Sequence, residues 1–419
     1  MRVQSLTLKN FRNLEEISLS ADRHLNFVLG SNGQGKTSIL EALSFLATLR
    51  SFREPKLLHC IQFGKQTAQI GCSLVSDEIS QGEWKTDLKL VFEKSSQPPF
   101  KASKTAYINQ KPYASSSEYL SQRFQSYEQG FHAIPFNPSD HDLVRGDPQG
   151  RRTYLDRVIA AEQVQYLKIL QTYQRILNQR NALLKAHLKS SRNVNSSMLK
   201  SFTEQLCQVG ARITYERLQW IFKTQEILNS TSERIVNRAM PLKLSYLSQW
   251  APSVEELSFN NSNLEKNHFS GQAQEASLKL LEQSFWAKIA ASEAIERRMG
   301  FCVVGPHRDD WTFLLRNQVL KGHGSQGEVR SALLALKLTE IESFKRETGH
   351  RPLFLMDDFS SELDEERRSF LLQSLIQADL QTFITTTEDS FHVGRRFWLC
   401  DGIVKEGTHD DRRKSTPVQ

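Results

Sequence analysis

The sequence predicts an α/β fold: a mixed sheet with flanking helices, interrupted by an inserted, mostly α-helical arm. Three observations carry that expectation. A glycine-rich loop, Gly30–Ser38 (GSNGQGKTS), follows a strand-like run, His24–Leu29, and opens a helix striped by Ile39, Leu40, Leu43 and Leu46. Far downstream, the apolar run Leu353–Met356 ends in Asp357 and Asp358, as a short buried strand would. Between the two, from about Asp156 to Leu228, apolar residues recur at helical spacing.

Taken in order, the first part of the chain reads as short strands: Val3–Leu8, Ile17–Ser20, His24–Leu29, Ala68–Leu74, Asp87–Phe92 and Ala106–Asn109. Turn residues such as Gly82 and Pro98–Pro99 separate them. In the helical region Tyr166, Leu170, Tyr173 and Leu177 form a heptad-like seam. A polar break, Ser190–Ser197, precedes a second seam through Leu206, Val209 and Ile213, which predicts an antiparallel helical pair. Asn260–Gln272 is polar and reads as a loop; strand-like segments return at Phe301–Val304 and Trp311–Leu315. The expected division is an N-terminal lobe at residues 1–155, a helical arm at 156–299, a C-terminal lobe at 300–405 and a polar tail at 406–419.

At 419 residues there is material for two or three domains with a sizeable core. No apolar run reaches the length of a membrane span, and the opening MRVQSLTLKNF lacks a secretory apolar core, so no membrane partner is expected. The five cysteines are scattered and the eleven histidines show no metal spacing, which suits a reducing cytoplasm. The net charge of +7 is concentrated. From Arg145 to Lys200, eleven Lys and Arg residues face only Asp147, Asp156 and Glu162, leaving the remainder near neutral. Such a segment is the footprint of a phosphate-backbone reader, and Arg151, Arg152, Arg175, Arg180, Lys185 and Lys189 are its candidate DNA contacts.

The loop fits G-x-x-x-x-G-K-[ST] at Gly30, Gly35, Lys36 and Thr37. Its backbone N–H groups, from Gly30 through Ser31, Asn32, Gly33, Gln34 and Gly35 to Ser38, and the helix N-terminus behind them favour an anion such as the phosphates of ATP. Lys36, expected to be exposed in the loop, supplies a charge to the β- and γ-phosphates; Thr37 and Asp357 are the expected Mg2+ ligands. Asp358, beside them, is the candidate base for an attacking water, with Lys36 the other catalytic candidate. Ser325–Glu328 (SQGE) opens a further helix striped by Val329, Ala332, Leu333 and Leu336, a second N-terminus suited to an anion.

In this order (phosphate loop, long insertion, Ser-Gln-Gly helix start, Asp-Asp strand, SELD loop at Ser361–Asp364) the chain resembles the ABC-type ATPase heads. The resemblance implies that Ser325, Gln326, Gly327 and Glu328 complete the ATP site of a second copy in trans, making an ATP-dependent homodimer. LTLKNFRN (Leu6–Asn13) just ahead of the loop resembles the SMC/Rad50/RecF branch, and the resemblance implies that Arg12 and Asn13, with Lys9 and Asn10, lie near the nucleotide. Too few residues separate Thr37 from Asp357 for the very long coiled coils of SMC or Rad50 proteins. FNPSDHDLVRGDPQGRRTYLD (Phe136–Asp156), YQRILNQRNALLK (Tyr173–Lys185), GPHRDDW (Gly305–Trp311) and SQGEVR together resemble the RecF family of bacterial recombination-repair proteins. That family implies a weak ATPase used as a switch, action on duplex or gapped DNA, RecO and RecR proteins as partners, and placement of the RecA recombinase. A transporter's nucleotide-binding subunit or another SMC-like chromosome protein shares the head chemistry. The chain departs from the ABC pattern at three places: Glu328 stands where Gln is usual, ITTTED (Ile384–Asp389) where a switch histidine is common, and Asn137 where a Q-loop glutamine is expected.

Overall fold

The computed structural model describes residues 1–76, 84–113, 115–122, 130–189, 196–236, 240–253, 256–257, 271–359, 365–389 and 393–406. Gly82, most of the Asn260–Gln272 loop, the SELD loop and the tail after Glu406 lie outside them. The chain divides into two compact units, Met1–Asp140 with Glu340–Gln419, and His141–Thr339.

The first unit holds two sheets. One is antiparallel, with β1 (Arg2–Phe11), β2 (Leu14–Ser20), β4 (Thr67–Val75), β5 (Lys85–Lys94), β6 (Ala102–Ile108) and β7 (Lys111–Tyr113) in the order β2-β1-β4-β5-β6-β7. Its strands alternate buried and exposed residues, as expected of a sheet with one covered face. The second contains β3 (Leu25–Leu29), β8 (Ala133–Phe136), β12 (Leu353–Met356), β13 (Thr382–Thr386), β14 (Arg395–Cys400) and β15 (Ile403–Glu406), in the order β15-β14-β3-β13-β12-β8. It is parallel except for β15, and β3, β8, β12 and β13 are buried at every position, the mark of a parallel sheet covered on both faces. Helix α1 (Lys36–Thr48) contributes Ile39, Leu40, Leu43, Phe45 and Leu46 to one core with residues of both sheets. A short helix, α2 (Ser116–Leu120), is N-capped by Ser115.

The second unit begins with α3 (Asp142–Arg145) and α4 (Pro148–Glu162), the latter N-capped by Asp147 with proline in its first turn. Helices α5 (Val164–Lys189) and α6 (Ser196–Val236) follow, then α7 (Gly271–Met299). Arg180 meets Thr203 while the backbone of Gly210 lies against Tyr173, the pairing of antiparallel neighbours, so the expected helical pair is present. Tyr166, Tyr173, Leu177, Leu206 and Ile213 of the two seams are buried. A three-stranded sheet, β11-β10-β9, is formed by β9 (Leu242–Leu247), β10 (Asp310–Leu315) and β11 (Gln318–Val319). After α8 (Leu320–His323) comes α9 (Gln326–Thr348), whose residues from Glu340 onward are assigned to the first unit, as is α10 (Glu365–Gln377).

Three expectations need correction. Phe301–Val304 is not a strand; its groups are engaged by side chains, with Cys302 N–H donating to Asn181 Oδ1 and Val303 N–H to Glu296 Oε1. Helix begins ahead of Asp156, with α3 at Asp142 and α4 at Pro148. Residues 141–155 and 300–339, assigned to the lobes from sequence, fall in the unit of the long helices, because Arg151 of α4 forms a bidentate pair with Asp310 of β10.

Candidate nucleotide-binding site

Strand β3 leads into the glycine loop, and α1 starts at Lys36 with Gly35 as its N-cap at φ +106°. Two loop glycines are forced by close approach. A Cβ on Gly30 would lie 2.5 Å from the Leu399 carbonyl oxygen, and one on Gly35 would lie 2.7–2.9 Å from Leu14 and Asn13. Asn13 braces the loop from outside: its Nδ2 donates to the Gly33 carbonyl and its Oδ1 accepts from Ser38 Oγ. Gln34 Oε1 accepts the Asp401 N–H at 2.8 Å. Lys36 is not exposed as expected; it is 9% accessible, with Nζ donating to the carbonyls of Gly30 (2.7 Å) and Ser31 (3.0 Å) and lying 3.4 Å from Asn32 Oδ1. Burial lowers its pKa, while Asp358 and Asp357 act in the opposite sense.

The strand order β3-β13-β12 brings Asp357 to the loop from the far end of the sequence. Asp357 Oδ1 accepts hydrogen bonds from Thr37 Oγ1 (3.0 Å) and Thr385 Oγ1 (2.7 Å). Burial pushes its carboxyl above the usual range, and the Thr385 and Thr37 hydroxyls pull it back. Asp358, half-buried, takes a left-handed backbone at φ +56°. The group implied at this place is ATP with Mg2+, and the residues fit it. The glycine backbone and the α1 N-terminus suit phosphate, and Thr37 and Asp357 offer two hard oxygens to a cation that keeps several waters. Among the described residues no three His, Cys, Asp or Glu converge into a protein-only metal cage.

Arg12 is committed differently from the expectation. At φ +58°, its guanidinium binds both Glu41 oxygens, Glu54 Oε1 and the His59 carbonyl, which makes it a brace between β1 and α1. Asn137 uses its side chain in its own turn, with Oδ1 accepting from the Ser139 N–H. Sequence reasoning passed over Thr385; the signal was the threonine run in ITTTED.

In the other unit, Ser325 caps α9. Its Oγ accepts the Glu328 N–H, and Glu328 Oε2 accepts the Ser325 N–H, a reciprocal capping box. The Ser325 N–H holds the Glu328 carboxyl below its usual range, and Arg316 adds a contact at 3.3 Å. The glutamate at this position therefore has a local reason. Ser325 and Gln326 are exposed, and Gly327 is partly so.

The candidate DNA-contact residues separate by burial. Arg175 and Lys185 of α5 are exposed, and Lys189 ends that helix. Arg151 and Arg180 do not face solvent, which corrects the expectation. Arg151 is held by Asp310, and Arg180, 2% accessible, binds Glu296 at 2.6 Å and Thr203 at 2.9 Å. Arg152 is half-buried, donating to the Asp309 carbonyl and Gln149.

The same interior explains GPHRDDW, which had no role at the sequence level. Pro306 O accepts from Arg217, Tyr246 Oη and Trp250 Nε1 donate to the Asp309 carboxylate, and Trp311 Nε1 donates to the Arg151 carbonyl. Because the Cys302 carbonyl can only accept, His307 Nε2 carries the proton and Nδ1 accepts from Tyr173 Oη. Burial pulls His307 down to about 4, so the folded unit keeps it neutral where an unfolded chain would charge it. The contribution is present above pH 6.5 and is lost as pH falls toward 4. Burial pushes Asp309 up to about 6, which works in the opposite sense over an overlapping window. His307→Gln is expected to shift the stability difference between pH 5 and pH 7 in favour of pH 5, by roughly 1–2 kcal/mol. Urea unfolding at the two pH values measures it; an unchanged difference means that His307 is charged in the folded protein.

A phosphate loop at the end of a central parallel strand, faced by an aspartate from a strand two places away, defines an ABC-type P-loop ATPase head with a helical arm. Residues 2–396 match the model of the RecF/RecN/SMC N-terminal domain family. The DNA replication and repair protein RecF of Geobacter sulfurreducens is 33% identical over 391 residues, covering 93% of this chain and 94% of that one. The RecF of Halalkalibacterium halodurans is 33% identical over 388 residues, covering 92% and 93%. The chain belongs to the RecF family of DNA replication and repair proteins. Among solved structures, that of the recombination mediator protein RecF-ATP in the RecFOR pathway superposes with a TM-score of 0.79 at 27% identity, covering 97% of each chain. An Smc head domain from Pyrococcus furiosus shares the fold at a TM-score of 0.53 and 14% identity.

Proposed function

We propose that this chain is an ATP-switched DNA-binding protein of recombinational repair, acting in the cytoplasm with Mg2+ as cofactor. The observation that carries the reading is the meeting of Thr37 with Asp357 at 3.0 Å beside Lys36, a phosphate and cation site closed from opposite ends of the sequence. Lys36 and the loop N–H groups hold the phosphates, Thr37 and Asp357 hold the cation, and Asp358 accepts a proton from the attacking water in a slow hydrolysis. The exposed Arg175 and Lys185 of α5, with Lys189, supply charge to duplex or gapped DNA. RecO and RecR proteins as partners, and help in loading RecA, follow from family membership. That membership and the charged arm favour this reading over a transporter subunit.

The switch works through a second copy. The exposed N-terminus of α9, where Glu328 already holds the Ser325 N–H, presents Gln326 and Gly327 beside Ser325 to an anion, and the γ-phosphate on a partner suits it. ATP then joins two heads, and ADP, without that phosphate, does not. Sedimentation is expected to show a shift toward dimer with ATP and Mg2+, mostly monomer with ADP, and retention of gapped DNA only in the first case. Ser325→Arg is expected to block the shift through steric and like-charge conflict with the partner's loop, while ATP still binds the monomer. Equal dimer fractions with ATP and ADP would sink the switch.

A further inference from the structure

We propose that Thr385 is the positioning residue of this site: its hydroxyl fixes the Asp357 carboxylate and pins the backbone turn that carries Asp358. The inference rests on the proposed reading of the loop and Asp357 as an ATP·Mg2+ site.

Thr385 lies on β13, between the strand that leads into the phosphate loop and the strand that ends in Asp357. It is 1% accessible, and its backbone pairs with Val28 of β3. Its side chain reaches β12 instead. The Asp358 N–H, which can only donate, lies 2.8 Å from Thr385 Oγ1. The threonine oxygen must therefore accept there, and its own proton is left for Asp357 Oδ1 at 2.7 Å. One hydroxyl thus holds two consecutive acids, in a direction set by the chemistry of the groups.

Each bond does a separate task. The bond to Asp357 orients a buried carboxylate that would otherwise rotate about its last torsion. Thr37 donates to the same oxygen, but its hydroxyl is the one the phosphate-loop pattern commits to the cation. The bond from the Asp358 N–H holds a non-glycine residue at φ +56°, a conformation that persists only where surroundings enforce it. Partners that orient a cation's protein ligand typically change its affinity when removed. The first threonine of ITTTED, where a switch histidine was expected, thereby gains a role at the Asp-Asp pair rather than at the phosphate.

Thr385→Val keeps the shape and strand preference of the side chain and removes both bonds. Thr385→Ser keeps the hydroxyl. In the full-length chain, a fluorescent ATP analogue is held at fixed concentration and Mg2+ is titrated, with a parallel titration of the analogue in EDTA. The valine variant is expected to need roughly 10–100-fold more Mg2+ for half-maximal binding, with serine near the unsubstituted protein and affinity in EDTA alike in all three. A valine variant that titrates like the unsubstituted protein overturns the proposal. So do valine and serine variants shifted equally, or a valine variant whose affinity falls as far in EDTA as in Mg2+. If valine does not fold, Thr385→Cys, similar in size but a poorer hydrogen-bonding group, replaces it. A shift in cysteine beyond that in serine supports the role, and equality overturns it. An unsubstituted chain that binds no ATP analogue at any Mg2+ concentration removes the ATP reading itself, and the Thr385 role with it.

Discussion

Lys36→Ala is expected to weaken ATP binding by roughly a hundredfold or more while the first unit stays folded. The ammonium is the only group the loop pattern offers as a full positive charge to the β- and γ-phosphates. Charge-assisted hydrogen bonds contribute about 1.5–3 kcal/mol each, and losing two amounts to about 3 kcal/mol or more. The cost to the fold is of a smaller order. Nζ donates to the Gly30 and Ser31 carbonyls, and the loop retains the Asn13 bonds to Gly33 and Ser38 when the ammonium is gone. Burial also depresses the Lys36 pKa, so ATP affinity is expected to fall at alkaline pH sooner than an ordinary lysine would dictate, and the alanine variant should lose that dependence. Titration with a fluorescent ATP analogue, beside a thermal melt, separates the two effects. An unchanged affinity in a folded variant would remove Lys36 from the site.

The loop and the Asp-Asp strand were legible because each is a contiguous pattern whose chemistry depends on spacing. Gly30 and Gly35 cannot carry a Cβ, and the apolar Leu353–Met356 has no use except as a buried strand. Thr385 was not legible, because its two partners lie just past the end of another strand and a threonine in a β-strand is unremarkable by itself. The strand β8 was missed for a similar reason: AIPF is four residues long and contains Pro135, and only its place at the sheet edge beside β12 makes it a strand. Helix α7 buries Leu281, Phe285 and Ile289, four residues apart on one face, against α5 and α6. The charge count from Arg145 to Lys200 was accurate as composition and misleading as a surface, since charge does not reveal which side of a helix faces a carboxylate. Arg180 and Arg175 stand on one helix, with opposite fates.

That difference leads to the other large effect: Arg180→Ala is expected to destabilise the second unit by about 3–5 kcal/mol and to leave the salt dependence of DNA binding unchanged. Arg180 is 2% accessible and Glu296 is fully buried. The pair is joined at 2.6 Å, Arg180 Nε donates to Thr203, and Glu296 Oε1 accepts the Val303 N–H. Removing the guanidinium leaves an uncompensated carboxylate among α5, α6 and α7, and the energy lost is the penalty for that orphaned charge more than the net strength of the pair. Replacing both partners, with Arg180→Met and Glu296→Leu together, is therefore expected to recover most of the loss, since apolar pairs of similar volume often equal a buried ion pair. Arg175→Glu with Lys185→Glu is the contrasting variant. Both residues are exposed, so the melting temperature is expected to hold while the slope of log K against log salt falls by about 2 as two phosphate contacts are lost. Urea unfolding and salt-dependent DNA titration on the same samples give the two readouts. A fall in the salt slope for Arg180→Ala at full stability would mean that the guanidinium reaches the DNA and that the buried pair with Glu296 is not its working state.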